Sequence, residues 1–129
     1  ASGDLPRTDP LIQQVVGQIA TNAFACELAV LAAADGLDAA EASGHDPDAV
    51  HAAAVLTAQA QVLVADLAPR TAEMLFSAGG ASATDRNINL DRHWRNARTI
   101  ASHNPAIYKA RAVGDLLVNG TRLPSNGFF

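Results

Sequence analysis

Two long runs of regularly spaced apolar residues account for most of the chain. Between Pro10 and about Ala42, and again between Pro47 and about residue 78, apolar residues recur every three to five positions. This spacing is typical of one face of an α-helix. Each run follows an Asp-Pro pair, which is a signal for a helix start. The residues expected to face inward are Leu11, Val15, Ile19, Ala23, Leu28, Leu31, Ala34 and Leu37 in the first helix, and Val50, Ala54, Leu56, Ala60, Leu63, Leu67, Met74 and Leu75 in the second.

The short polar stretch Ser43-Gly44-His45 joins the two runs, so the pattern predicts an antiparallel helix hairpin. Pro69 lies inside the second run and should kink it, because proline removes a backbone donor and clashes one turn back. Gly79-Gly80 should end that helix and begin a polar loop that extends to residue 90.

A shorter apolar pattern from Pro105 to about Asn119 predicts the last helix, with Gly120 as its stop. Residues 1–8 are expected to form a disordered lead-in, residues 9–120 a single helical domain, and residues 121–129 a coil tail. Sustained alternation of β-branched residues is lacking, so no sheet is expected. The predicted fold class is an all-α, antiparallel helical bundle.

Composition narrows the classes of function. Hydrophobic residues make up 49% of the chain but aromatic residues only 5%, so the core should be built from Ala, Val and Leu. The net charge of −4 argues against nucleic-acid binding. The single cysteine, Cys26, excludes an internal disulfide and fits a reducing compartment. Neither a membrane-spanning apolar run nor a metal-ligand spacing is found, so we expect a soluble cytoplasmic protein with no metal.

The stretch from Asp91 to Pro105 is the part of the chain that is richest in polar chemistry. It contains the single Trp, two of the four His residues and three Arg residues within a predicted short helix. Asp91 should cap this helix, and Trp94 should pack in the core. Asn104-Pro105 should end it, because proline disfavours helix at the residue before it. His103 is therefore expected at a corner between two helices, where its ring can be directed into a concave surface.

The motif order also resembles a known family. A Gly-Gly loop, an Asp-Arg-x-x-Arg-x-x-Arg helix beginning at Asp91, a His103-Asn104-Pro105 corner and a final helix follow the two long helices. This order is similar to the C-terminal helical domain of the acyl-CoA dehydrogenase superfamily. The sequence from Asn89 to Arg98, the corner, and the tail with its Asn119-Gly120 and Gly127-Phe128 resemble the flavin-dependent monooxygenase branch. The resemblance is specific over about residues 85–129.

The resemblance implies a function and a set of partners. It implies that reduced FMN, with FAD as the alternative, reacts with oxygen to oxygenate a small organic substrate, and that a separate reductase delivers the flavin. It gives His103 the role of exchanging a proton near the flavin, with Asn104 orienting it or holding a flavin edge. It places the flavin of a neighbouring subunit near a loop made of Gly79, Gly80, Ala81 and Ser82, in a homodimer or homotetramer.

The resemblance also has two departures from the wider superfamily. The dehydrogenases often carry a Glu-Gly pair at this corner, where the Glu removes a substrate proton, whereas this chain has Asn104-Pro105. The family also has an N-terminal helical domain, a middle β domain and a further helix ahead of Pro10. The chain is therefore expected to be the C-terminal part of a larger flavoenzyme. An acyl-CoA dehydrogenase-like domain with altered chemistry and a non-catalytic oligomerisation module are the alternatives.

Structural roles compete with the functional ones for each of these residues. His103 would also serve as a helix-end residue, and Gly79-Gly80 as a simple helix stop. The Arg residues of the short helix would form a solvated or salt-bridged face with Asp85, Asp91 or Asp115. Cys26 is expected to be inert in the core. Surface positions are expected for His45, His51 and His93.

Overall fold

The computed structural model describes residues 5–126, and these form an all-α bundle. The helices are α1 (Pro10–Ala42), α2 (Pro47–Gly79), α3 (Asp91–His103) and α4 (Ala106–Asn119), with short 3-10 turns at Pro6–Thr8 and Gly80–Thr84. No strand occurs within residues 5–126. The predicted fold class is confirmed, and the predicted bounds of the helices differ from the observed ones by no more than a residue or two. Residues 1–4 of the expected lead-in, and Gly127-Phe128 of the tail, lie outside the described residues.

The starts of both long helices are fixed by the aspartate that precedes each proline. The Asp9 carboxylate accepts hydrogen bonds from the backbone N–H groups of Leu11 (2.8 Å) and Ile12 (3.4 Å). The Asp46 carboxylate accepts from Asp48 and Ala49, both at 3.1 Å. These bonds satisfy donors that have no partner inside the helix. The same local chemistry therefore sets the first residue of α1 and of α2.

Helices α1 and α2 form an antiparallel hairpin. Gly44 and His45 adopt positive φ values of 71° and 63° in the connecting turn. Gly36 lies against Ala53, and the Asn22 side chain donates to the Thr71 hydroxyl at 3.0 Å. Residues early in α1 thus lie beside residues late in α2, and the reverse, as an antiparallel pair requires.

The contact between α1 and α2 uses Val15 and Ile19, as predicted, but small residues take the place of the expected leucines. Leu11 is 75% exposed, and Leu28, Leu31 and Leu37 are also exposed, so their predicted inward orientation is wrong. The regular spacing of apolar residues did not distinguish the packed face, because α1 carries apolar side chains all around its circumference. The residues of α1 that are buried or half-buried along the hairpin are Ile12, Val15, Ile19, Asn22, Ala25, Cys26, Ala29, Ala33, Gly36 and Ala40.

The opposite side of α1 presents large apolar side chains to solvent. Phe24, Leu28 and Leu31 follow one another at spacings of four and three residues and are each about half exposed or more. By length and composition alone, α1 and the stretch Pro47–Thr84 are apolar enough to cross a membrane, which corrects the sequence expectation on this point. Helices that pack inside soluble proteins can have the same length and composition.

Helix α2 is the centre of the bundle, and α1, α3 and α4 all pack on it. Pro69 is buried inside α2, which continues to Gly79. The bend at this proline stays a prediction. The most buried residues of α2 are alanines, and Ala53 and Ala58 are each 2% exposed. An alanine-rich central helix lets three partners approach closely.

Residues 121–126, after α4, form no helix or strand, but they pack against the bundle. Leu123 is 7% exposed and packs in a cluster with Ala58 and Ala112. Its backbone N–H donates to Nε2 of His51 at 3.0 Å, so His51 is half-buried and not a simple surface residue. The Arg122 guanidinium donates to the Asp48 carboxylate at 2.9 Å. The tail is therefore tied to the first turns of α2.

A larger side chain at Gly36 should destabilise the α1–α2 contact, whereas one at Gly17 should not. A Cβ at Gly36 would lie 2.8 Å from Cδ1 of Leu56 and 3.4 Å from Cα of Ala53, while one at Gly17 would meet nothing within 4 Å. We expect Gly36→Val to lower the free energy of unfolding by about 1–3 kcal/mol through overpacking. Gly17→Ala, the matched control, should raise it by up to about 1 kcal/mol. Urea unfolding followed by circular dichroism measures both, and a neutral Gly36→Val would contradict the close approach.

Leu123→Ala should destabilise the chain even though Leu123 lies outside every helix. Removing a buried leucine side chain costs about 2–5 kcal/mol. Leu117→Ala is the control, because Leu117 is 77% exposed and should change stability by less than about 0.5 kcal/mol. Equal thermal midpoints for the two variants would show that the tail does not contribute to the core.

Candidate functional site

His103 lies at the junction of α3 and α4, as predicted. It is the last residue of α3, and Asn104 leaves the helix with φ −130° and ψ 104°. Pro105 follows, and it has no backbone N–H that could extend the helical bonding. Helix α4 then begins at Ala106. The His-Asn-Pro sequence therefore makes a sharp corner with an exposed imidazole on its inner turn.

A groove of about 540 Å³ between α2 and α3 reaches this corner. The prediction that His103 borders a concave surface is confirmed, because His103 and the half-buried Asn104 lie at one end of the groove. The walls come from two helices. The lining residues are Gln61, Val64, Ala65 and Ala68 from α2, and Ala97, Thr99, Ile100, Ala101, His103 and Asn104 from α3 and the corner.

The groove combines apolar walls with one polar end. Its polar end consists of the His103 imidazole and the amide groups of Gln61 and Asn104. The Gln61 Nε2 donates to the backbone carbonyl oxygen of Asn104 at 3.1 Å. No carboxylate and no guanidinium is among the residues that line it. The arrangement can hold a flat molecule by its apolar part and exchange a proton with a polar atom at its edge through the imidazole.

The outer side of α3 carries a second, shallower concavity of about 460 Å³, which His103 also borders. Trp94 lies there at 40% exposure, so its expected core position is wrong. Among the described helices α3 packs mainly on α2, and the half-buried Ala97 and Ala101 lie on that side of α3. The large Trp94 ring is left at the edge. The other lining residues are Arg95, Arg98, Thr99 and Ser102.

The arginines of α3 are partly engaged in local structure. Arg95 forms an ion pair with Asp91 one turn earlier, and it also donates to the Asn89 side chain at 3.1 Å. Arg92 donates to the backbone carbonyl oxygens of Ile88 and Asn89. The predicted salt-bridged face is confirmed for Arg95. Asp91 is not the cap, because it is the first helical residue, with its carboxylate turned to Arg95.

The loop at Gly79, Gly80, Ala81 and Ser82 is separate from the groove, which none of these four residues lines. Its glycines are explained by local backbone geometry. A Cβ at Gly79 would lie 2.7 Å from Cβ of Ala83, and Gly80 has a φ of 62°. The Ser82 hydroxyl donates back to the Gly79 carbonyl oxygen at 3.0 Å. The helix stop is confirmed, and cofactor binding at this loop stays a prediction.

The remaining chemical residues stand apart from the corner. Cys26 is half-buried on α1, and burial raises the pKa of its thiol, which fits the expected inert role. His45 and His93 are exposed, as predicted. Within residues 5–126, no three His, Cys, Asp or Glu side chains come together closely enough to hold a metal ion.

Gln61 is the residue of the groove that reasoning from the sequence missed. It interrupts a stripe of α2 that otherwise consists of Ala58, Ala65 and Ala68 at helical spacing. A single amide on an alanine face was the available signal. The spacing of apolar residues gives no information on a polar residue of the same helix face, so it did not indicate Gln61.

The family described as acyl-CoA dehydrogenase, C-terminal domain, matches residues 2–106. The chain belongs to this family. Among curated proteins, a probable FMNH2-dependent monooxygenase, SfnC of Pseudomonas putida, is 31% identical over 123 residues, covering 94% of this chain and 31% of that protein. A dibenzothiophene monooxygenase of Rhodococcus erythropolis is 41% identical over 54 residues, covering 42% of this chain and 13% of that protein.

Solved structures give the same relationship. Methanesulfinate monooxygenase MsuC from Pseudomonas fluorescens matches with a TM-score of 0.89 and 32% identity over 99% of this chain and 33% of that chain. FMN-bound TdsC from Paenibacillus sp. A11-2 matches with a TM-score of 0.83 and 27% identity over 97% of this chain and 32% of that chain. The resemblance to the monooxygenase branch of the family is thereby confirmed. The chain spans about a third of the length of these proteins.

Proposed function

We propose that this chain is the C-terminal domain of a flavin-dependent monooxygenase that uses reduced FMN and oxygen to oxygenate a small organic substrate. The observation that carries the proposal is the position of His103 at the polar end of an apolar groove. The family and the monooxygenase relatives support it. The acyl-CoA dehydrogenase alternative is weaker, because an amide, Asn104, stands where a carboxylate base is needed, and no carboxylate lines the groove.

The chemical character of the groove fits part of a flavin. Val64, Ala65, Ala68 and Ile100 offer apolar walls on which a planar ring system can pack. The His103 imidazole and the Asn104 amide at its end match the hydrogen-bonding edge of such a ring. No basic side chain lines the groove, so the phosphate of FMN would be held elsewhere in the protein. Bound reduced flavin would supply the electrons that activate oxygen.

The protein's own contribution would be to place a proton and to exclude water. An imidazole can both donate and accept a proton near neutral pH, which suits the protonation of an oxygen species next to the cofactor. Asn104 would orient this ring or hold the cofactor edge. The alanine and valine walls would keep bulk water from the reacting atoms.

The partners follow from this chemistry. FMN is favoured over FAD because SfnC is described as FMNH2-dependent and TdsC has been solved with FMN bound. A separate flavin reductase would supply the reduced cofactor in the cytoplasm. The exposed backbone at Gly80, where an added Cβ would meet nothing within 4 Å, leaves room for the flavin of a neighbouring subunit.

His103→Ala in the full-length protein that contains this domain should abolish oxygenation. Loss of a positioned acid or base typically costs about 10²–10⁴-fold in rate. Binding of reduced FMN should stay within about tenfold, since the apolar walls remain, and fluorescence titration measures it. His93→Ala is the matched control, because His93 lies exposed on the same helix and borders neither concavity.

Product formation at the wild-type rate by His103→Ala would refute the assignment of this residue. Anaerobic oxidation of an acyl-CoA thioester by the wild-type protein, with no oxygenated product in air, would favour the dehydrogenase alternative. Absence of flavin binding in the full-length protein would favour a non-catalytic oligomerisation module.

We further propose that the domain assembles with copies of itself, as a homodimer or homotetramer. The outer face of α1 carries Phe24, Leu28 and Leu31 in solvent over a helix about 50 Å long. Contiguous apolar patches of this kind usually mark interfaces. Because a helix hairpin with such a face is self-complementary about a two-fold axis, pairing with a second copy would cover it most simply.

Light scattering of this 129-residue chain at micromolar concentration should give a mass above the 13.3 kDa of one copy. The double variant Phe24→Ser/Leu31→Ser should lower the mass by weakening the apolar contact, whereas Gln14→Ser, an exposed polar position on α1, should leave it unchanged. A mass of one copy without apolar dye binding would contradict self-assembly.

A further inference from the structure

The corner between α3 and α4 lacks the side-chain caps that hold the starts of α1 and α2. Asp9 and Asp46 cap α1 and α2 with their side chains, and the Gly120 N–H donates to Leu116 O after α4. At the corner, Asn104 makes no capping bond, and α4 begins without a side-chain cap. Pro105 contributes no N–H. The Tyr108 N–H donates to the Pro105 carbonyl oxygen at 3.3 Å, and contacts from other helices add to this local bond.

The side chain of Gln61 supplies such a contact. Its Nε2 donates to the Asn104 carbonyl oxygen at 3.1 Å in a partly buried position. Within residues 5–126, this is the one side-chain hydrogen bond that joins the corner to another helix. A carbonyl oxygen can only accept, so the amide orientation is determined by the bond itself. A glutamine on an otherwise alanine-lined face of α2 thus has a defined partner.

We infer that Gln61 is a positioning residue for His103. The bond fixes the Asn104–Pro105 peptide group, one residue after His103, and so restrains the backbone of the corner from which the imidazole projects. Without the bond, the uncapped corner would sample several conformations, and fewer of them would direct the ring into the groove. Small misplacements of a reacting group can cost up to about 10²-fold in rate. The inference rests on the proposed catalytic role of His103.

Gln61→Met in the full-length enzyme tests the inference, because methionine keeps the length and packing of the side chain but cannot donate. With reduced FMN, oxygen and a turned-over substrate, we expect the product formed per flavin oxidised to fall about tenfold and hydrogen peroxide release to rise. The substrate KM and FMN binding should stay within about twofold. Gln61→Glu should behave similarly, since an ionised carboxylate cannot donate to the carbonyl either.

Gln59→Met is the matched control. Gln59 is exposed on the same helix two residues away and does not line the groove, so the variant should keep the wild-type coupling. A merely structural role for Gln61 predicts a different result, in which the thermal midpoint falls but the folded enzyme retains its coupling. That result would overturn the inference.

A double-mutant cycle with His103→Ala separates this inference from the proposed function. If Gln61 acts through His103, adding Gln61→Met to His103→Ala should leave the rate of peroxide release unchanged. A further change in the rate of peroxide release in the double variant would overturn the positioning role. If His103→Ala alone kept full oxygenation, the proposed function of the site would be refuted. If His103→Ala lost oxygenation but the Gln61 variants kept normal coupling, only the positioning role would be refuted.

Discussion

The close approach of α1 and α2 is the contact on which the rest of the structure depends. Gly36 lies against Ala53, where an added Cβ would come within 2.8 Å of the Leu56 side chain, and both helices present small side chains along this line. The large apolar side chains of α1 are consequently turned outward, where Phe24 is 61% exposed. The packing that stabilises the hairpin therefore also leaves an apolar surface in solvent.

The polar end of the groove is formed at the α3–α4 corner, which has no side-chain cap of its own. A helix end that satisfies its own backbone groups is rigid, but it leaves little for a ligand to bind. At His103 and Asn104 the chain instead ends one helix abruptly before Pro105 and is held by Gln61 of α2. The corner thereby keeps an imidazole open to a groove while its backbone remains attached to the core.

The features of the fold that were predictable from the sequence are those determined by neighbouring residues. The helix starts at Asp9-Pro10 and Asp46-Pro47 were predictable, because the capping chemistry involves only neighbouring residues. The packed face of α1 was not, since apolar residues surround the helix and only the approach of Gly36 to Ala53 selects one side. The docking of Leu123 and the position of Gln61 depend on contacts between residues distant in sequence, which spacing along one helix does not encode.

The small side chains that allow close packing also explain why a groove exists beside His103. Ala65 and Ala68 of α2 face Ala97 and Ala101 of α3, so the two helices meet over short side chains with space left between them. Leucines at these four positions would fill much of the roughly 540 Å³ that separates the walls. Alanine at the α1–α2 contact brings backbones together, whereas alanine along the corner leaves room for a ligand. The difference lies in the partner helix, because α3 is short and ends at His103 before it can close over the groove.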